Sequence, residues 1–194
     1  MKDAKGHGSD PRGGAHATGV DKIGRPFWGT NPAENLQRAQ DWFQKAGYKS
    51  VIGGTKAVAA YDPLTNKMHL NANAKFWQDP ASHTADESEV RGRLNPYGNP
   101  KKDKDTPLFF TGRFISANDP EHMMNHEVAH AMYRAPEKFA DPSHRAVARE
   151  EVSGRASHSP DEFVAEVHAG MKAGRTYSDN VMQMFKQYAV PRKR

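Results

Sequence analysis

His126, Glu127 and His130 are the residues whose types and spacing point most directly to chemistry. They form an H-E-x-x-H motif. On a helix, residues four apart sit about 40° apart around the axis and one turn above each other, so both imidazoles reach the same metal ion. Glu127 lies about 100° round from His126, close enough to polarise a water on that metal. The chemistry this spacing suits is metal-assisted hydrolysis. Chance is a poor explanation. With 10 His in 194 residues and a similar number of Glu, an accidental copy is expected in about 3% of such chains.

The motif needs a helix with one apolar face, and the flanking residues supply the signals for it. Asn118-Asp119-Pro120 offers an N-cap and a Pro at the first helical position. Met124, Val128 and Ala131 fall at i, i+4 and i+7 and make an apolar stripe opposite the histidines. Such a helix buries one side and presents the motif on the other.

Further elements follow from the same kind of signal. Residues 32–46 read as a helix that Asn31 caps, Pro32 starts and Gly47 stops, with Leu36, Ala39, Trp42, Phe43 and Ala46 on the apolar face. Residues 56–61 and 67–71 read as the two strands of a hairpin, with His69 an ordinary strand residue. Residues 78–106 are loop-like, and Leu108-Phe109-Phe110 with Arg113-Phe114-Ile115 suggests one more short strand or an apolar rim. Arg145–Glu151 suggests a helical turn. Ser159-Pro160-Asp161-Glu162 opens a helix carrying Phe163, Val164, Val167 and Met171, with His168 expected on its surface. Residues 178–189 form a last helix whose Val181, Met182, Met184, Phe185 and Tyr188 pack. Residues 1–26 are rich in Gly, His, Asp, Arg and Ser and read as a flexible arm; His7 and His16 within it are expected to be incidental. Residues 27–194 are expected to be a single domain.

Composition narrows the classes. Hydrophobic residues make up 36% and the mean hydropathy is −0.89, so the core is small and loops are many. No run of 18 apolar residues is present, which predicts no membrane span. No apolar stretch near Met1 reads as a secretory signal, so the chain is expected in the cytoplasm of the producing cell, or to be carried in a particle or by a non-classical route. Cysteine is absent, which removes disulfides and thiolate ligands and leaves His and carboxylates as the donors for any zinc. The formal charge of +5 lies partly at the termini and in Lys101-Lys102-Asp103-Lys104. It reads as a solvated basic surface, and no nucleic-acid module or clustered aromatic-basic face accompanies it.

A catalytic zinc takes three protein ligands and keeps an open position. The extended H-E-x-x-H-x-x-G-x-x-H pattern fails, since Tyr133 holds its Gly position and Pro136 its final His position. Glu162, Glu166, His144, His158 and His168 remain as candidate third ligands. Glu162 also fits a competing job, as the N3 carboxylate of a capping box on Ser159.

Glu162-Phe163-Val164-Ala165-Glu166, following the H-E-x-x-H helix, resembles the E-F-x-A-E helix of the anthrax lethal factor-like zincins, which include the Pro-Pro endopeptidases. The likeness covers about residues 56–170 loosely and the two helices specifically. It implies an α+β zincin-like domain of the gluzincin type: a small mixed β-sheet, an active-site helix bearing the motif and a C-terminal helical part. It implies one Zn²⁺ per chain on His126, His130 and Glu162, with Glu166 orienting the site from behind. Glu127 would be the general base of peptide-bond hydrolysis. The hairpin would line a cleft to which a protein or peptide substrate adds as a strand. One departure stands out. The family carries a Tyr seven residues before the ligand Glu, where its hydroxyl stabilises the oxyanion; this chain has Arg155 there. An Arg can also donate to an oxyanion, and Tyr133 and Tyr177 are other candidates. The alternative expectation is a zincin fold retained as a structural or binding protein, as a phage-particle component or a delivered effector.

Overall fold

The computed structural model describes residues 28–78, 80 and 121–193. The expected N-terminal arm, most of the long loop, the apolar segments at 108–110 and 113–115 and the Asn118-Asp119-Pro120 cap lie outside these residues. What is described is a mixed α+β architecture with five α-helices, a three-stranded sheet and a two-stranded ribbon.

Helix α1 (Pro32–Lys45) begins where Asn31 accepts a hydrogen bond from Ala33 N and ends before Gly47, whose φ of 88° suits a residue without a side chain. It buries Ala39 and Phe43, with Leu36, Trp42 and Ala46 packed at the margin. Asn35 is also fully buried there. Its side chain accepts from Gly29 N and donates to the carbonyls of Gly29 and Trp77, pinning the chain before α1 to the 3₁₀ turn Lys75–Gln78.

Strands β1 (Lys49–Ile52), β2 (Ala59–Asp62) and β3 (Lys67–Leu70) form the sheet in the order β1-β3-β2. The expected hairpin is β2–β3, antiparallel with Tyr61 opposite Met68; its turn closes through Asn66 at φ 53°. β1 pairs parallel to β3 on the other side, which leaves β2 at an edge among the described residues. The connection after β1 runs through Gly53 and Gly54, both at positive φ. A Cβ on Gly54 would fall 2.3 Å from Nδ1 of His69, so the central strand's histidine occupies the space a side chain would need.

Helix α2 (His122–Met132) carries the motif. Met124, Val128 and Ala131 are buried and join Phe43, Met68, Leu70 and Trp77 in the sheet-side core, as the stripe predicts. Full burial of a side chain the size of Met or Val contributes about 1.5–3 kcal/mol, which fixes the helix by its back. The remaining elements are β4 (Tyr133–Arg134), α3 (Pro142–Val147) running into a π-helical turn (Ala148–Val152), a 3₁₀ turn (Arg155–Ser157), α4 (Pro160–Lys172), α5 (Asp179–Tyr188) and β5 (Val190–Pro191). They enclose a second core of Val152, Phe163, Val164, Val167, Val181, Met184 and Tyr188. β5 pairs antiparallel with β4. No helix among the described residues is long and apolar enough to cross a membrane.

Candidate metal centre

The site lies where α2 meets α4, between the two cores. α2 turns its apolar face to the sheet and its histidines to α4. Ser159 caps α4 by accepting from Glu162 N at 3.1 Å. That is half of the expected capping box. The Glu162 carboxylate is turned the other way, towards α2, where Oε2 lies 3.1 Å from His126 Nε2 and Oε1 lies 3.9 Å from His130 Nε2. The two ring Nε2 atoms are themselves 3.1 Å apart.

Three donor atoms therefore converge, and their chemistry fits a metal ion. Ligand atoms about 2.0–2.1 Å from a tetrahedral zinc stand about 3.3 Å from one another, and the separations here bracket that value. The opposite ring nitrogens are backed by carboxylates, as ligand histidines commonly are. His126 Nδ1 lies 2.9 Å from Glu166 Oε1, an approach too oblique for a well-formed hydrogen bond, and His130 Nδ1 lies 2.8 Å from Asp161 Oδ2. One turn and a half of α4 thus supplies all three carboxylates: Glu162 between the histidines, and Asp161 and Glu166 behind them.

The electrostatics favour positive charge at the centre. Burial and the Arg155 charge work against protonating His126, but the adjacent Glu162 and Glu166 carboxylates prevail and raise its pKa from 6.5 to about 9. Burial likewise opposes ionisation of Glu162, yet hydrogen bonding from His126 and the Arg155 charge hold its carboxyl well below the usual carboxylate range. Glu166 is buried too and is held low by His122 and His126. A cation placed among these groups replaces the proton that His126 otherwise keeps.

Glu127 is buried, and its Oε2 accepts from Tyr61 N at 2.9 Å. The acid of the motif is thereby anchored to strand β2. Arg155 donates from Nε to Glu162 Oε2 at 2.7 Å. Burial alone would lower the pKa of its guanidinium, but the carboxylates of Glu162, Glu166 and Glu127 raise it. Arg192 closes the far end of α2. Its Nε donates to His130 O at 3.0 Å and Tyr133 O at 2.8 Å, its backbone N–H donates to Met132 O at 2.9 Å, and its guanidinium lies 5.6 Å from the centre of the Tyr61 ring.

The structure thus brings together His126, Glu127, His130, Arg155, Glu162 and Glu166. Other candidates fall elsewhere. His144 Nδ1 is 2.6 Å from the Tyr188 hydroxyl, Tyr133 packs its ring on His168 and Phe185, and Tyr177 lies under the Arg175 guanidinium. His168 corrects the sequence reading: it is buried, 6% exposed, and burial lowers its pKa to about 4. The apolar face of α4 is wider than its Phe, Val and Met positions suggest. Asp161, Ser153, Tyr61, His122 and Arg192 carry no motif signal of their own. For His122 a signal exists in its spacing, since His122, His126 and His130 fall at i, i+4 and i+8.

No protein-family model matches this sequence, and no curated protein or solved structure shows significant similarity to it.

Proposed function

We propose that this protein is a zinc-dependent endopeptidase of the gluzincin type, with His126, His130 and Glu162 as the ligands of one zinc ion. The observation that carries the reading is the convergence of the two Nε2 atoms and the Glu162 carboxylate, with Glu166 and Asp161 on the opposite ring nitrogens. A zinc ion held there supplies Lewis acidity, which acidifies a water and polarises a scissile carbonyl. Glu127 takes a proton from the attacking water and delivers it to the leaving amine. The bond from Tyr61 N keeps that carboxylate in place and leaves its other oxygen for the proton. β2, at an edge of the sheet among the described residues and tied to Glu127, is the strand along which an extended peptide would add. Arg155 spends Nε on Glu162, and its remaining guanidinium N–H groups serve a developing oxyanion.

A second reading rests on the same arginine. A guanidinium 2.7 Å from the third ligand competes with a metal for that carboxylate, which favours a zincin-like scaffold kept for binding or structure. Elemental analysis of the purified protein beside Glu162→Ala, followed by a peptide library, separates the two. One zinc per chain, lost in the variant, together with cleavage that Glu127→Ala lowers by about 10²-fold or more while keeping its zinc, supports the endopeptidase. Zinc without cleavage supports the binding reading, and no zinc after incubation overturns the metal centre.

A further inference from the structure

His122 lies outside the H-E-x-x-H motif, yet it stands on the same face of α2, one turn ahead of His126. It is two turns, about 12 Å of helix rise, from His130, too far to share a metal with it. It turns instead to Glu166, with Nε2 3.4 Å from Oε2. Glu166 is fully buried, and its carboxylate is held on three sides: by His122, by His126 Nδ1 at 2.9 Å and by the Ser153 hydroxyl at 3.0 Å. Ser153 is itself fixed, accepting from Ala156 N at 3.1 Å. A buried carboxylate needs positive partners to offset its desolvation: His122 and the Ser153 hydroxyl meet Oε2, and His126 Nδ1 faces Oε1 obliquely at 2.9 Å.

We infer that His122 is a positioning residue for the metal centre: it holds Glu166 from behind, and Glu166 in turn fixes the His126 tautomer that presents Nε2 to the metal. Neutral His126 has one N–H and one lone pair, and placing the N–H at Nδ1 against Glu166 leaves the lone pair at Nε2, facing Glu162 and His130. Ser153 and His122 keep Glu166 from rotating away. The inference rests on the zinc reading above and adds to it a residue that touches neither metal nor substrate.

The test is zinc affinity by chelator competition, with the visible absorption of the cobalt(II)-substituted protein, for wild type, His122→Phe and His122→Gln. His122→Phe is expected to weaken zinc by about 10- to 100-fold and to shift the cobalt bands. His122→Gln, whose amide can still donate to Glu166, should recover most of both. Should His122→Phe fail to fold, His122→Asn, one methylene shorter than Gln, takes its place. Unchanged affinity and an unchanged cobalt spectrum in the folded Phe or Asn variant would overturn the role and leave His122 as core filling. Two cobalt ions per chain, one lost with His122, would overturn it in favour of a second metal centre on His122, His126 and Glu166. A wild type that binds neither metal removes the zinc reading itself, an outcome distinct from normal binding that is indifferent to His122.

Discussion

The two histidines of the motif are backed by carboxylates from one helix, yet they stand in opposite surroundings. His126 and Glu166 are 1% and 0% exposed, whereas His130 and Asp161 are 13% and 43% exposed at their side chains. On the inner side a missing partner has no water to replace it, so the pair must be complete. On the outer side water can take either place, and the pair costs little to lose. The inner half therefore sets whether a site exists, and the outer half tunes it.

Breaking the inner half should give the largest effect. Glu166→Ala removes the buried carboxylate beside His122 and His126 and should cost about 3–5 kcal/mol of stability, read as a lower denaturant midpoint; a loss under 1 kcal/mol would mean that the inner side is wetter than its burial implies. Asp161→Asn, the same kind of change on the outer side, should leave stability within about 0.5 kcal/mol and weaken zinc by about tenfold, the low end for a supporting carboxylate. Equal losses from both variants would erase the contrast.

Acidity sharpens it more gently. His126 has its folded pKa raised from 6.5 to about 9, so its contribution to metal-free stability is full below about 6.5 and is lost as pH rises through 9. A zinc ion bound as proposed would have to displace that proton, so affinity should climb with pH until about 9 and then level; a flat titration over that span would contradict the inner charge balance. His168 has the opposite sign. Its pKa is lowered to about 4 by burial, so its contribution is full above 6.5 and is lost as pH falls towards 4. His168→Phe should flatten that acid limb alone, the smallest of these changes, visible as a smaller loss of melting temperature between pH 6.5 and 4.

The legibility of this chain in its sequence follows the range of the forces involved. Helices α1 and α4 announce themselves through their caps, because Asn31 and Ser159 act on amides within three residues, and α2 and α5 through their 3.6-residue apolar patterns. The β2–β3 hairpin is legible because its strands are joined by a short turn. β1, β4 and β5 are not, since each pairs with a partner distant in sequence and carries too few residues for a period to show. Two corners of the candidate site are legible as motifs, His126–His130 and Glu162–Glu166. Its supports are not, because Tyr61 and Ser153 reach it from 66 and 13 residues away through one backbone N–H and one hydroxyl, and Arg192 clamps α2 from 62 residues away. His168 misreads as a surface residue because a neutral imidazole packs like an aromatic ring once it is buried, and its letter does not reveal its charge.

The clamp of Arg192 on the end of α2 also sets an order of assembly. His126, Glu162 and their supporting carboxylates leave the ribosome well before residue 192 does. Until it emerges, the carbonyls of His130, Met132 and Tyr133 lack these partners, and β4 lacks the strand beside it. The parts of the centre nearest to chemistry are thus made early and secured late. A nascent chain built in this way holds this corner loosely until residue 192 has emerged, and tightens it then.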